Sequence, residues 1–579
     1  MKDTILDLFI KRAEDGIATV TFFRNLNQKE EHSYSDLLNG AKKVASYLVK
    51  TGVKKGETVT LCLPTGAEFY HAYFGALLMG AVPCAIYPPL RLGKLDEWVS
   101  RTSYMLKSVN SKIVLTEKRI HPFLGTPVLN ARVDFGCITV EAASTKFGSE
   151  VPEIVSPTLF PNDVAFIQFS SGSTGKPKAQ CVTHRNLICN LDAIISTLSK
   201  SVEEMIGVSW LPLYHDMGLV GAFHGAIYSG GNLVLIPPEI FVARPLTWFE
   251  AISDMKATIT VAPNFSFGLS QEKIKDEEIQ DLDLSSLKVV MSGAEPVHPD
   301  TMERFFEKFS KANLKREAIT PVYGLAEATL AVTFSDMDST PIWKSFDKEL
   351  LHTWKKAVLV NSGGVQLASV GKALPGISLE IRNEDSAVLG EGKVGELWIK
   401  GDSIARGFND NGDCETNSNW INTGDLGFLF EDQLYLCGRS KDILIIRGKN
   451  LDPAPIEQVV SEFGFIRSGC VALFGVYDDK SGTEKAILAA ELKGEDNPMY
   501  QQRMKEVVAS EFSIDLSQVV LLPPSTLPRT SSGKIRRNQA KNLFEAGHLK
   551  YKKEYIPLKV FSNIMKGKID YVRQKLGLV

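Results

Sequence analysis

Short apolar segments of β type alternate with stretches at helical spacing along most of this chain, and that alternation limits the fold more than any other feature. Residues 58–63 (TVTLCL) read as a strand, 66–79 as a helix and 81–87 as a strand. The rhythm returns through 206–211, 219–228, 233–236, 246–254, 259–261 and 289–291. Such a pattern predicts α/β layers around largely parallel sheet. At 579 residues the chain exceeds one core and predicts roughly three or four domain-sized units. Between 370 and 435 the texture changes. Short strand-like pieces (379–382, 395–400, 434–436) separated by Gly, Asp and Asn predict a small β-rich subdomain. Beyond Gly438 a new α/β pattern begins, and GRSKDILIIRGKN (438–450) reads as a connector.

The stretch SSGSTGKPK, Ser170–Lys178, carries the first chemical signal. Gly172 and Gly175 let the backbone turn with its N–H groups outward. Ser170, Ser171, Ser173 and Thr174 add hydroxyls, and Lys176 and Lys178 add charge. An apolar strand, VAFIQF at 164–169, precedes the loop, and a helix pattern begins near His184. The combination suits an anion with several oxygens, such as a nucleotide polyphosphate. It is not a Walker A loop, because no Gly-Lys pair is followed by Ser or Thr. On its own the loop also fits a flexible Ser/Gly turn.

A net charge of −3 and 23% charged residues exclude wholesale nucleic-acid binding. Eight scattered cysteines without a CxxC pair argue against a disulfide framework or a zinc site and fit a reducing compartment. The longest uncharged stretch, 74–90, is broken by Gly80, Pro83, Pro88 and Pro89, so no spanning helix is expected there. The first residues lack a signal-peptide core. A cytoplasmic protein is expected. From Lys534 onward twelve Lys/Arg face three Asp/Glu. That basic end is either a solvated surface or a dock for an acidic partner, with Arg536, Arg537 and Lys541 as candidate contacts.

Further motifs follow the loop in a fixed order: WLPLYHDMGL (210–219), SGAEP (292–296), YGLAE (323–327), TGD (423–425), GRSKD (438–442) and PRTSSGKIRR (528–537). Together they resemble the adenylate-forming superfamily of acyl-CoA synthetases, adenylation domains and luciferases, over nearly the whole chain. The resemblance implies a large domain at 1–438, a hinge at 439–442 and a small mobile α+β domain at 443–579. It implies ATP and Mg²⁺ as cofactors. Ser170, Ser171, Gly172, Ser173, Thr174, Gly175 and Lys178 would hold the β- and γ-phosphates, and Glu327 would bind Mg²⁺. Asp425 would accept the ribose hydroxyls, with Arg439 on ribose or phosphate. Ala294, Glu295, Tyr323 and Gly324 would flank adenine. Lys534 would be the catalytic lysine bridging carboxylate and α-phosphate, His215 would line the channel between them, and Lys441 would be the hinge residue.

Three departures narrow the resemblance. Ile445 stands where many acyl-CoA synthetases carry a lysine for thioester formation. An extra segment lies at about 335–369, with Trp343, Phe346 and Trp354. AVPCAIYPPLR (81–91) is similar to one branch, the fatty acyl-AMP ligases. That branch implies a medium- or long-chain fatty acid as substrate, an acyl carrier protein or carrier domain as acceptor, and an insertion that restrains the small domain. Phe223, Phe265 and Phe267 are candidates for the acyl pocket. An acyl-CoA synthetase shares every nucleotide motif. An amino-acid adenylation domain would use an aspartate, here Asp216, for the substrate ammonium. A non-catalytic nucleotide-binding protein is disfavoured by the charges at Glu327, Asp425 and Lys534.

Overall fold

The computed structural model of the chain describes residues 3–89, 95–146, 156–170, 177–352, 354–408, 420–440, 442, 444–446, 449–451, 453–478, 483–512, 514–530 and 534–549. Two large sheets form the first part. In one, five strands run parallel to Ile206–Ser209 and its neighbours: Thr19–Asn25, Asn232–Leu235, Ile259–Ala262, Val289–Ser292 and Ile319–Gly324. Antiparallel strands close its edges, Gln28–Ser33 on one side and Ala331–Phe334 followed by Lys372–Ala373 on the other. The second sheet has a parallel core of Val164–Ser170, Val82–Ala85, Thr58–Cys62, Ile113–Thr116 and Cys137–Thr139.

Helix Ala67–Leu78 is apolar on all sides and sits in the shared core, its Phe69, Tyr70 and Phe74 fully buried. It packs on helix Tyr34–Thr51, which starts at a Ser33/Asp36 capping box. A Cβ on Gly75 would lie 2.8 Å from Val44 Cβ, so only glycine permits this close approach. Helix His184–Leu198 follows a second capping box, Thr183/Asn186.

The expected β-rich unit is a four-stranded antiparallel sheet of Ile377–Arg382, Gly395–Gly401, Ile421–Phe430 and Gln433–Arg439. The extra segment forms a short antiparallel pair, Trp343–Phe346 with Val365–Ala368. Phe346 is fully buried against Phe428 and Tyr435, with ring centroids 5.0 and 5.4 Å away. The C-terminal part has its own core around Ile456, Val460, Leu473, Leu488 and Val508. Three strands, Ile466–Asp478, Thr483–Leu492 and Leu516–Leu522, carry helices Pro453–Ser461, Pro498–Phe512 and Arg537–Glu545.

The helix expected near His184 starts there, and an unexpected strand, Lys178–Thr183, pairs antiparallel with Val164–Ser170 before it. KAQCVT is itself strand-forming and completes the hairpin. Three expectations are corrected. Cys181 is disulfide-bonded, a pairing that sequence spacing does not report; the other described cysteines form no disulfide. Phe223 and Phe267 are fully buried core residues and do not line the cavity described below. Arg536, Arg537 and Lys541 are spent on internal partners: Glu97, Glu457 with Asp442, and Glu484 respectively. They are no free docking surface. No described helix is long and apolar enough to cross a membrane.

Candidate active site

The two sheets, the β-rich unit and the small domain surround a cavity of about 1820 Å³. Its polar end is organised by Asp425. The Tyr323 hydroxyl donates to Asp425 Oδ2 at 2.6 Å, and Arg439 Nε donates to Oδ1 at 2.7 Å. Gly424 adopts φ +73°, and Asp425 lies in an irregularity of the pairing with Gly395–Gly401, its backbone N–H donating to Thr423 Oγ1 at 3.1 Å. Ser440 N–H binds Gly424 O at 3.1 Å and ties the connector to the same turn. Burial, with the Asp425 charge beside it, pushes the Tyr323 hydroxyl well up, so it remains a donor. Asp425 raises Arg439 in turn.

Lys534 reaches this end from the small domain and lines the cavity with Asp216, Glu295 and Asp425. Its loop is closed by Lys534 N–H to Thr530 Oγ1 at 2.9 Å and Thr530 N–H to Lys534 O at 2.7 Å. Burial pulls the Lys534 ammonium below the ordinary lysine value, against the opposing charge of Asp216. His215 Nδ1 lies 2.6 Å from Asp216 Oδ1, which also accepts from Met217 N–H at 2.8 Å. Burial pushes the Asp216 carboxyl up, but His215 and Lys534 outweigh it and hold the group below the usual carboxylate range. Glu295 is raised by burial, and its side chain accepts from Phe265 N–H. Ala294, at φ +65°, and Gly324 line the same end.

The phosphate-loop expectation falls largely outside the described residues: Ser171, Gly172, Ser173, Thr174 and Gly175 are not among them, nor is Lys441. The ends of the loop are described. Ser170 and Lys178 pair across the hairpin and line the cavity, and Ser170 Oγ is buried without a hydrogen-bond partner among the described residues. Glu327 stands on the turn Ala326–Ala328 and lines the cavity beside them. A residue without a sequence signal holds that turn. Gln168, 5% exposed, donates its amide to Ala326 O at 3.0 Å and Thr329 O at 3.2 Å. Thr329 takes φ +71°, a costly value for a β-branched residue, and its hydroxyl is anchored on Ser403 O.

The other arm of the cavity is apolar. Ile194, Leu198, Met205, Ile259, Val261 and Leu330 line it. Gly221, Ala222, Gly225 and Ala226 form a small-residue strip along one side. A Cβ on Gly221 would come within 3.2 Å of Leu330. Phe265 is the one acyl-pocket candidate from the sequence that lines this cavity.

Residues 9–408 match the AMP-binding enzyme family. The chain belongs to that family. Among relatives of this AMP-binding enzyme is the probable long-chain-fatty-acid–AMP ligase FadD30 of Mycobacterium tuberculosis, 30% identical and covering 90% of this chain and 94% of its own. The putative fatty-acid–CoA ligase FadD21 of the same organism is also 30% identical, covering 86% and 89%. A solved structure from studies of fatty acyl-adenylate ligases from E. coli and L. pneumophila superposes with a TM-score of 0.86 at 30% identity, covering 94% of this chain and 98% of that one.

Proposed function

We propose that this enzyme condenses a medium- or long-chain fatty acid with ATP to an acyl adenylate, releases pyrophosphate and passes the acyl group to a carrier protein. The observation that carries this reading is the meeting of the Asp425–Lys534 end with an apolar arm in one cavity. The first end offers an ionised carboxylate for two ribose hydroxyls, held by Tyr323 and Arg439. The second offers hydrocarbon walls and no charged group among Ile194, Leu198, Met205, Ile259 and Val261.

Bringing a carboxylate onto an α-phosphate unites two anions, so a cation must stand between them. Lys534, which lines the cavity, is assigned that role. Its half-dry position strengthens the attraction to charge developing on the phosphate. Asp216 and His215 line the path to Lys534, and the carboxylate of Asp216 counters its charge until substrate arrives. Ala294, Glu295, Tyr323 and Gly324 form the wall for adenine. Ser170 and Lys178, with the loop between them, receive the phosphates. Among the described residues no group of three or more His, Cys, Asp or Glu could hold a metal. A lone glutamate beside phosphates nevertheless suits Mg²⁺, which takes one or two carboxylates and fills its shell with phosphate oxygens and water. Glu327 would hold that ion, which when bound neutralises charge on the phosphates.

The segment at about 335–369 supports an AMP ligase over a coenzyme A ligase. It is fixed to the β-rich unit through Phe346, and its Lys348 Nζ lies 5.1 Å from the Phe512 ring of the small domain. It therefore touches both partners of the rotation that thioester formation would need. The large domain at 1–438, the hinge at 439–442 and the small domain at 443–579 are the units of that rotation. The test is a product assay by mass spectrometry with ATP, Mg²⁺ and dodecanoate, with coenzyme A or an acyl carrier protein. Acyl-AMP with acyl transfer only to the carrier is expected; efficient acyl-CoA formation would overturn the reading.

A further inference from the structure

Glu491 is a fully buried carboxylate that does not line the cavity. It lies near the end of strand Thr483–Leu492 and interrupts the apolar run AILAAEL. In the sheet it stands opposite Leu522, the last residue of strand Leu516–Leu522, at the point where the chain leaves the sheet toward Lys534. Both of its oxygens are used. Oε2 accepts from Ser525 N–H at 2.9 Å and from Arg467 Nη1 at 2.8 Å, and Oε1 accepts from Leu527 N–H at 2.8 Å. Desolvating a buried ion pair offsets most of what its attraction returns, so stability alone gives no reason for a carboxylate here. What it fixes is the path of the chain.

That path leads to the loop of Lys534. Ser525 adopts φ +66°, a left-handed value that is costly for a residue with a Cβ, and its N–H is the one held by Oε2. Leu527 sits, fully buried, in a cluster with Phe474, Leu522 and Ala540. Directly after it, residues 528–530 pair antiparallel with 534–536. Arg536 N–H donates to Pro528 O at 2.9 Å, Arg529 bridges to Ile535, and Thr530 N–H donates to Lys534 O at 2.7 Å. The Thr530 hydroxyl accepts from Lys534 N–H at 2.9 Å. Fixed contacts therefore run from Glu491 through 525–530 to the backbone of Lys534.

We propose that Glu491 is a positioning residue for the adenylation step: its two oxygens set the start of the hairpin stem and thereby the place of the Lys534 side chain in the cavity. The proposal rests on the adenylation reading above. A carboxylate is needed because the two backbone N–H groups meet different oxygens. The amide of glutamine has one acceptor oxygen, so its NH₂ group would face one of these donors. That donor would lose its acceptor, and the stem would shift to satisfy it elsewhere. Glu491 acts through Lys534 alone.

The test is acyl-AMP formation from ATP and dodecanoate by the full chain, measured for Glu491→Gln with Lys534 intact and together with Lys534→Ala. With Lys534 intact, kcat should fall about 10- to 100-fold, the loss for a catalytic group displaced by up to about 1 Å, with half-saturation for ATP and dodecanoate unchanged within about twofold. Together with Lys534→Ala, Glu491→Gln should cost less than about twofold more, because its effect passes through the missing ammonium. Glu491→Asp keeps two oxygens on a shorter stem; it should lose about tenfold and carries the same cycle should Glu491→Gln fail to fold. Val508→Ala loosens the core of the same domain away from the stem, so it should lower the melting midpoint yet leave kcat within about twofold. If Glu491→Gln costs as much with Lys534→Ala as without it, the proposal is overturned. A loss of kcat by Val508→Ala as large as that by Glu491→Gln would show a purely structural role and overturn it as well. Absence of acyl-AMP from the unaltered protein would overturn the adenylation reading and this role with it.

Discussion

The two arms of the cavity are built by opposite means. The nucleotide arm is a network of short polar contacts in which each group fixes the next: Tyr323 and Arg439 hold Asp425, and Thr530 holds the loop of Lys534. The apolar arm is lined mainly by hydrocarbon side chains. It exists because Gly221, Ala222, Gly225 and Ala226 leave space that Ile194, Leu198 and Met205 do not fill. Polar recognition is therefore concentrated in a few residues, each costly to lose. Apolar recognition is spread over a volume, and it fails when something is added.

Substitutions on each side sharpen this contrast. Lys534→Ala should produce the largest effect, a loss of about 10²–10³-fold in acyl-AMP formation, because a preorganised charge leaves a half-dry site. The pH profile of kcat/KM carries the same residue. Lys534 acts as a cation, and its value lies below that of an ordinary lysine, so activity holds at lower pH and falls early as pH rises. Lys534→Arg should move that alkaline fall upward even though the rate is lower. An unmoved limb would assign the titration to another group.

On the acyl side, Gly225→Leu adds bulk to the strip. We expect kcat/KM for hexadecanoate to drop about 10–200-fold relative to octanoate, with ATP half-saturation unchanged. Equal losses for both acids would place the chain elsewhere. Asp425→Asn replaces an ionised acceptor by an amide and should cost about tenfold in kcat/KM for ATP. Tyr323→Phe removes one hydroxyl from Asp425 and leaves Arg439 in place, so about threefold is expected, read as ATP half-saturation. If Tyr323→Phe were as harmful as Lys534→Ala, the hydroxyl would have a role in the chemistry beyond holding Asp425.

The polar arm was largely legible in the sequence because its functional groups sit in compact motifs. Asp425 lies in TGD, Glu327 in YGLAE and Lys534 in SSGK, where a turn or loop must expose a charged group. The supports of those groups were not legible. Gln168 is one polar residue inside an apolar strand, and its partners Ala326 and Thr329 lie far along the chain. The apolar arm was not legible for a different reason. Large aromatic residues such as Phe223 and Phe267 suggest a hydrophobic pocket but fill their own space in the core. The walls of the apolar arm include a strip of small residues.

By itself the sequence determined the α/β layering, the β-rich unit and the order of the nucleotide motifs, because periodicity and turn chemistry are local properties of the chain. It also named Glu327, Asp425 and Lys534, which line the cavity. Tertiary structure alone decided that the Gly-rich loop spans a hairpin, that Arg536, Arg537 and Lys541 are engaged within the molecule, and that Lys534 and Asp425 line one cavity. Those outcomes depend on which distant surfaces face each other. Charge and shape complementarity between such surfaces are properties of the packed chain, with no counterpart in the spacing of its residues.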